Sequence, residues 1–132
     1  MIRISIFALL SVFCIVAQAA TDIISQQALL RNQMSARPHM IVDVRSATEF
    51  EAGHLKGAIN IPFDQISQHQ SLLDTLKPET LVVYCRSGRR AAIFEQALAE
   101  QGFSLLHLSG DFRDWQAAQL PVITSNPAKT EQ

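Results

Sequence analysis

The stretch TLVVYCRSGRRAAIFEQALAEQG, residues 80–102, contains a strand, a charged loop and a helix in direct succession. Residues 80–85 are β-branched, apolar and aromatic, which indicates a buried strand. A helical pattern begins near Arg89 and stops at Gly102. Its expected apolar face consists of Ile93, Phe94, Ala97 and Leu98. The stretch therefore predicts a strand–loop–helix unit with one cysteine and three arginines in or beside the loop.

The same alternation of strands and helices continues on both sides of this unit. The other strand-like runs are residues 40–44, 57–62 and 104–109. The other helical patterns are residues 26–35, a short helix that starts at Ser46, residues 64–76 and residues 111–119. Their expected inward residues include Leu29, Leu30, Met34, Ile66, Leu73 and Leu76. Alternation of this kind needs crossover connections, so we expect one α/β domain with a mainly parallel sheet and helices on both faces.

The first 19 residues have the pattern of a secretory signal peptide. Arg3 precedes an apolar run, and the small residues Ala17 and Ala19 provide a cleavage site near Ala19 or Ala20. The apolar run is shorter than the roughly 20 residues that a spanning helix needs. We therefore expect a periplasmic or secreted protein that is free of the membrane after cleavage. Its net charge of -1 gives no basic field, so we expect no nucleic-acid partner.

Cleavage would remove Cys14 and leave Cys85 as the only cysteine. A lone thiol in an oxidising compartment can form no internal disulfide, which indicates a reactive cysteine. A buried cysteine that acts only as a small hydrophobe is the alternative. Three arginines within the next five residues argue against that alternative, because arginines do not belong in an apolar interior.

The loop after Cys85 has the features of an anion-binding nest. If a helix begins near Arg89 or Arg90, the backbone N–H groups of residues 86–90 lack helical partners and face the loop. Gly88 permits the backbone angles of a tight loop, and Ser87 can cap the helix or donate to the sulfur. These donors and the arginines favour a thiolate, so we expect Cys85 to be a nucleophile beside an anionic substrate.

Two reactions use a cysteine in such a loop: phosphoryl transfer and sulfur transfer. Cysteine phosphatases enclose a phosphate with the pattern Cys-x5-Arg, whereas here Ala91 stands at the position of that arginine. The loop is one residue short, which suits a single sulfur atom better than a phosphate. A disulfide oxidoreductase is disfavoured because the second cysteine of a Cys-x-x-Cys pair is lacking.

Three segments resemble the signatures of single-domain, exported rhodanese-type sulfurtransferases. They are VDVRSATEFEAGHLKGAINIPFDQI (42–66), VVYCRSGRRA (82–91) and LSGDFRDWQAAQLPV (108–122). The resemblance covers a rhodanese-like domain over residues 21–123. Residues 124–132 show no pattern, and we expect a disordered tail.

The resemblance implies a five-stranded sheet and a reaction in which Cys85 takes sulfur from thiosulfate or a similar anionic donor. The persulfide would then pass its sulfur to cyanide or a thiol. A protein could also be the sulfur acceptor. The backbone amides of residues 86–90 would hold the sulfur. Arg86 and Arg90 are the favoured side chains for the sulfite end, and Arg89 could share that role. No metal or organic cofactor is implied.

Two positions depart from the family pattern, which often has glycines where this chain has Asp111 and Gln119. We expect both residues to adopt backbone angles that glycine usually takes. As an alternative role, Asp111 could face the rim of the active site and disfavour anionic donors.

Several other polar or aromatic residues have structural interpretations. Asp43 and Arg45 are candidate loop-orienting residues at a strand end. Glu49 has the capping-box spacing to Ser46 and is better explained as a cap than as a general acid. His54 could shuttle protons but is better explained as a satisfied turn residue, and Trp115 as a core anchor.

A second function from another class stays open. The domain could be a persulfide carrier or a sulfide-binding module that serves a partner protein and turns over small donors poorly. The uncharged loop sequence of such degenerate domains is absent around Cys85. Sulfurtransferase activity is therefore the favoured hypothesis.

Overall fold

The computed structural model describes residue 14 and residues 20–125. Apart from Cys14, the expected signal peptide lies outside the described residues, as does the expected tail from residue 126 onward. None of the helices in the described part of the chain has the length and apolar character needed to cross a membrane.

The described chain folds as an α/β domain with one five-stranded sheet. The strands are β1 Asp22–Ile24, β2 Met40–Asp43, β3 Ile59–Asn60, β4 Thr80–Tyr84 and β5 Ser104–Leu108. The helices are α1 Gln26–Gln33, α2 Ala47–Ala52, α3 Gln70–Leu76, α4 Arg89–Glu100 and α5 Asp111–Ala117. The strand order is β1-β5-β4-β2-β3, and every neighbouring pair is parallel. The expected fold class is confirmed.

Two elements differ from their predictions. The strand β1 was not predicted, because three residues at a sheet edge are too few to show a periodic pattern. The helix expected over residues 64–76 begins only at Gln70. Before it, Gln65 N–H closes a turn on the carbonyl of Pro62, and a 3-10 helix covers Ser67–His69.

The alternation of side chains along β4 divides the core between the two faces of the sheet. Val83 and Cys85 lie in one apolar cluster, together with residues of α3 and α4. Val82 and Tyr84 point to the other face, where α1 and α5 pack. Because β4 is central and buried on both faces, the loop that follows it is held at the carboxyl edge of the sheet, where ligands bind in α/β folds.

Two residues expected in the core are exposed. Met34 is 80 % exposed because α1 ends at Gln33, which leaves Met34 at the helix C-cap. Ile93 is 47 % exposed because α4 turns a different stripe to the sheet. The buried residues of α4 are Ala91, Phe94, Glu95 and Leu98. A charged residue thus occupies part of the face that was expected to be apolar.

Candidate active site

Cys85 directly follows β4, and the loop that carries it ends where α4 begins at Arg89. Gly88 is the N-cap of that helix, with φ of 114°, a conformation that L side chains rarely adopt. Its backbone N–H donates a hydrogen bond to Cys85 Sγ over 3.0 Å. The expected helix start and the need for glycine are confirmed. The expectation that Ser87 caps the helix is wrong, since the cap residue is Gly88 and no side chain caps this end.

The thiol lies at the bottom of this loop and not on its surface. Cys85 is only 1 % exposed, and it packs in the same apolar cluster as Val42, Val44 and Ala91. The surrounding side chains Arg86, Ser87 and Arg89 are exposed. A reagent must therefore reach a nearly buried sulfur through a charged surface, which favours small anions.

The three arginines of the loop have different partners. Arg90 donates to both carboxylate oxygens of Glu49, over 2.7 and 3.0 Å. In the part of the chain that the structure describes, the side chains of Arg86 and Arg89 form no ion pair. The charge of Arg90 is thus largely compensated, whereas those of Arg86 and Arg89 stay available to an anion.

Glu49 joins α2 to Arg90 at the start of α4, next to the Cys85 loop. It completes the expected capping box, in which Ser46 Oγ accepts from the Glu49 N–H and the Glu49 carboxylate accepts from the Ser46 N–H. The hydrogen bond from Arg90 lowers the pKa of Glu49 to about 2. The sequence revealed the cap but not the ion pair, because nothing local connects two residues so far apart in the chain.

Asp43 and Arg45 form a buried ion pair beside Tyr84, the last residue of β4. The Arg45 guanidinium donates to Asp43 Oδ2 over 2.6 Å and to the carbonyl of Gly53 over 2.6 Å. Tyr84 O–H donates to the same Asp43 carboxylate over 2.7 Å, and burial followed by that negative charge raises the pKa of Tyr84. Asp43 is 0 % exposed and Arg45 3 % exposed. These contacts suit a structural role for the pair in connecting β2, β4 and the segment after α2.

His54 and Trp115 both have internal hydrogen-bond partners. His54 is 8 % exposed, stacks on Phe50, and its Nδ1 lies 2.7 Å from the carbonyl oxygen of Phe50. Trp115 is 3 % exposed, and its Nε1 donates to the carbonyl of Pro121. Both contacts agree with the structural interpretations of these residues.

Asp111 and Gln119 stand where the family pattern often has glycine, and they have the expected positive φ, 55° and 53°. Asp111 does not face the rim, because it is 3 % exposed and its Oδ1 accepts a hydrogen bond from the backbone N–H of Cys85 over 2.9 Å. Its other carboxylate oxygen lies 3.0 Å from His107 Nε2. The alternative role of Asp111 as a rim residue that repels donors is therefore wrong.

The sequence analysis did not single out Glu95 and His107, which extend the hydrogen-bond network of Asp111. His107 Nδ1 lies 2.5 Å from Glu95 Oε1, so the imidazole is held between two carboxylates. No local pattern pointed to Glu95, because the expected apolar face of α4 contained Ile93, whereas the structure turns Glu95 to the sheet. A buried carboxylate there needs a partner, which His107 provides. Within residues 20–125, no set of three or more His, Cys, Asp or Glu side chains is arranged to hold a metal ion.

The family follows from the loop and the fold together. The sequence model of the Rhodanese-like domain matches residues 25–118. The chain belongs to the rhodanese-like domain family. Among solved structures, a rhodanese-related protein from Thermoplasma volcanium shares the fold, with a TM-score of 0.68, 24 % identity, and coverage of 77 % of this chain and 97 % of that one. A Rhodanese-like domain protein from Staphylococcus aureus has a TM-score of 0.64 and 27 % identity, over 72 % of this chain and 91 % of that one.

Curated relatives with similar sequences come from several bacteria. The uncharacterized protein YqhL of Bacillus subtilis is 36 % identical over 60 % of this chain and 62 % of its own length. The thiosulfate sulfurtransferase PspE of Escherichia coli is 30 % identical over 55 % of this chain and 70 % of its own. The thiosulfate sulfurtransferase GlpE of Shewanella oneidensis is 34 % identical over 63 % of this chain and 81 % of its own. The chain thus spans less than two thirds of the first of these relatives.

Proposed function

We propose that this protein is a thiosulfate sulfurtransferase that carries sulfur as a persulfide on Cys85. The observation that carries the proposal is the 3.0 Å hydrogen bond from Gly88 N–H to Cys85 Sγ at the start of α4. A backbone donor in that position, together with the positive end of the helix, stabilises a thiolate and later the terminal sulfur of a persulfide. The two relatives named thiosulfate sulfurtransferase support the choice of donor.

In the first half-reaction, the Cys85 thiolate attacks the outer sulfur of thiosulfate. A bond forms between Sγ and that sulfur, while the bond from the outer sulfur to the sulfonate sulfur breaks. Sulfite leaves with the electron pair, and the enzyme keeps one negative charge on the persulfide. In the second half-reaction, cyanide or a thiolate attacks the outer sulfur and releases the Cys85 thiolate. The steps balance without any external oxidant, and they predict ping-pong kinetics.

Arg86 and Arg89 are the best side chains to hold the sulfite portion of the donor. Both are exposed at the mouth of the loop, and no carboxylate pairs with either of them among the described residues. Arg90 was favoured from the sequence, but its guanidinium is engaged by Glu49. We assign Arg90 the role of fixing the loop against α2. Asp43 and Arg45 act structurally, as a buried ion pair that connects β2 to β4, without contact to the donor.

A persulfide carrier for a partner protein is the second candidate function. The putative sulfur carrier protein YrkF of Bacillus subtilis is 29 % identical over 57 % of this chain and 40 % of its own length. Such a carrier would form the same Cys85 persulfide but pass it slowly to cyanide. The acceptor step therefore distinguishes the two functions. We also propose export to the periplasm or the exterior, which the mass of the mature chain from a secreting host would test.

The deciding experiment is intact-protein mass spectrometry after incubation with thiosulfate, before and after addition of cyanide. A sulfurtransferase gains the mass of one sulfur atom and loses it to cyanide within seconds, whereas C85S gains nothing. A persulfide that cyanide removes only slowly would favour the carrier. No gain on a folded protein with a free thiol, or hydrolysis of a phosphate ester by the wild type but not by C85S, would refute the sulfurtransferase.

The arginine assignment is tested by steady-state kinetics on R86Q and R89Q, with R31Q on the exposed surface of α1 as the matched control. Loss of a charge-assisted hydrogen bond of about 1.5 kcal/mol raises KM for thiosulfate about tenfold for each loop variant. KM for cyanide should stay near the wild-type value. Unchanged KM for thiosulfate in both loop variants would contradict the assignment.

A further inference from the structure

The side chains of Glu95, His107 and Asp111 form a hydrogen-bonded triad behind the catalytic loop. His107 lies on β5, Glu95 on α4, and Asp111 is the first residue of α5. One ring nitrogen of His107 contacts Glu95 Oε1 over 2.5 Å and the other contacts Asp111 Oδ2 over 3.0 Å. The triad therefore joins three elements through a single imidazole.

The burial of the two carboxylates requires a positive charge between them. Their side chains are 6 % and 4 % exposed, and that of His107 is 18 % exposed. In the described part of the chain, no lysine or arginine pairs with either carboxylate. Two nearby buried carboxylates cannot both stay ionised without a counter-charge. An imidazolium with both N–H groups donating satisfies both acceptors at once.

The triad is in direct contact with the loop that holds the nucleophile. Asp111 Oδ1 accepts from the Cys85 N–H over 2.9 Å, and the next two residues of α5 donate their backbone N–H groups to the carbonyls of Cys85 and Arg86. A Cβ atom at Gly88 would lie 3.2 Å from Asp111 Oδ2 and 3.8 Å from His107 Nε2. The loop backbone thus rests on the Asp111 carboxylate, whose orientation is set by His107.

We propose that protonated His107 is a positioning residue for sulfur transfer. It fixes the Asp111 carboxylate, which holds the backbone of Cys85 so that Sγ meets the Gly88 N–H. Its consequence for turnover rests on the proposed function, whereas the positioning itself does not. Asp111 keeps a backbone φ of 55° in this arrangement, a conformation that the three hydrogen bonds between α5 and the loop hold in place.

The protonation state of His107 agrees with this role. Hydrogen bonds to Asp111 and then to Glu95 raise its pKa from 6.5 to about 10. A raised histidine pKa contributes stability that is fully present below the unfolded value and is lost as the pH rises through the folded value. The charged groups that face the imidazole are Glu95 from α4 and Asp111 from α5; the loop contributes the backbone at Gly88. His107 is therefore charged throughout the neutral range, and the loop should loosen only in alkali.

The first test is an NMR titration of the wild-type protein from about pH 6 to about pH 11, which brackets the His107 pKa. The ring nitrogens of His107 and the amide proton of Cys85 should titrate with one midpoint near 10. A Cys85 amide that does not follow His107, or a His107 that titrates near its ordinary value of 6.5, would overturn the proposal. This measurement uses the wild-type protein alone, so it depends neither on a sulfur donor nor on the folding of a variant.

The second test measures single-turnover alkylation of Cys85 by iodoacetamide and persulfidation by thiosulfate in H107Q. Both rates should fall about tenfold or more at neutral pH, because the sulfur loses its fixed position. E95Q/H107Q removes the excess carboxylate and should recover most of that loss. H69Q, on the exposed 3-10 helix, and D114N, on the exposed side of α5, are the matched controls. Wild-type rates in a folded H107Q would overturn the proposal.

The two tests separate this proposal from the proposed function. If wild-type protein forms no persulfide with thiosulfate while the Cys85 amide follows His107, the donor assignment fails and the positioning role stands. If persulfide forms and the Cys85 amide does not titrate with His107, the donor assignment stands and the positioning role fails.

Discussion

Replacing Arg45 with methionine should destabilise the fold severely without changing the chemistry at Cys85. Arg45 is the only residue that forms an ion pair with Asp43, which is 0 % exposed, among the residues that the structure describes. The substitution leaves the carboxylate with hydrogen bonds from Tyr84 O–H and from the backbone N–H of residue 45. It also removes the donor to the Gly53 carbonyl and the cation that stacks on Phe112 at 3.9 Å.

The expected magnitude follows from the burial of the pair. Breaking one side of a buried ion pair costs about 3–5 kcal/mol, because it leaves an uncompensated charge. For a domain of this size, a loss of 3 kcal/mol lowers Tm by at least about 12 °C. D43N/R45M removes the buried charge while keeping an acceptor for Tyr84. We expect this double variant to lie within about 2 kcal/mol of the wild type.

The assay is urea unfolding of wild type, R45M, D43N and D43N/R45M, followed by circular dichroism, with persulfidation rates measured on the folded fraction. If the pair acts structurally, R45M loses stability but persulfidates at a rate within about threefold of wild type, a change worth less than 1 kcal/mol. A loss of stability below about 1 kcal/mol, or a double variant as unstable as the sum of the singles, would refute the ion-pair reasoning. A normal stability with a strongly reduced rate would place Arg45 in the chemistry instead.

Three further predictions concern the loop and the strained residues. The ion pair of Glu49 with Arg90 should stabilise the fold above the ordinary Glu49 pKa of 4.5, and this contribution should be lost as the pH falls toward about 2. E49Q should lack this decline of thermal stability in acid. A wild-type dependence of Tm on pH in E49Q would contradict the assignment. Methyl methanethiosulfonate should modify Cys85 about tenfold faster or more than a fluorophore maleimide, because the thiol is 1 % exposed; equal accessibility in the folded state would show an open site. Q119G should stabilise the protein by about 0.5–1 kcal/mol, because glycine adopts a φ of 53° without strain at this exposed position. D111G should bring no such gain, because it also removes the hydrogen bond from the Cys85 N–H. Equal gains in stability in both variants would contradict the role of the Asp111 carboxylate.

The features that could be predicted from the sequence are those encoded within one element and its neighbours. The run of residues 80–85 followed by a helical pattern places Cys85 at the carboxyl edge of the sheet, and the structure confirms that placement. The spacing from Ser46 to Glu49 predicts the capping box in the same way. Local patterns carry this information because strand period and helix caps depend on residues a few positions apart.

The contacts that were missed depend on the register between strands. Val83 pairs with His107 across β4 and β5, which brings the histidine close to the Cys85 loop. A helical pattern for α4 cannot show whether Ile93 or Glu95 faces the sheet, since the two residues lie on opposite sides of the buried Phe94 and a rotation of the helix about its axis exchanges them. The Glu49–Arg90 and Glu95–His107 pairs thus arise only when the sheet is assembled.

Among the described residues, two that are not glycine have a positive φ, and they show how a tertiary contact gives one of two similar departures from the family pattern a role. Gln119 is exposed and Asp111 is buried, yet both adopt nearly the same strained conformation. The side chain of Asp111 forms hydrogen bonds with the backbone N–H of Cys85 and with the imidazole of His107, whereas the conformation of Gln119 brings its backbone N–H to the carbonyl of Gln116. A buried carboxylate in a strained position would be unfavourable twice over unless its bonds offset the cost. The bonds to Cys85 and His107 supply that offset, and they make Asp111 part of the loop that holds the sulfur.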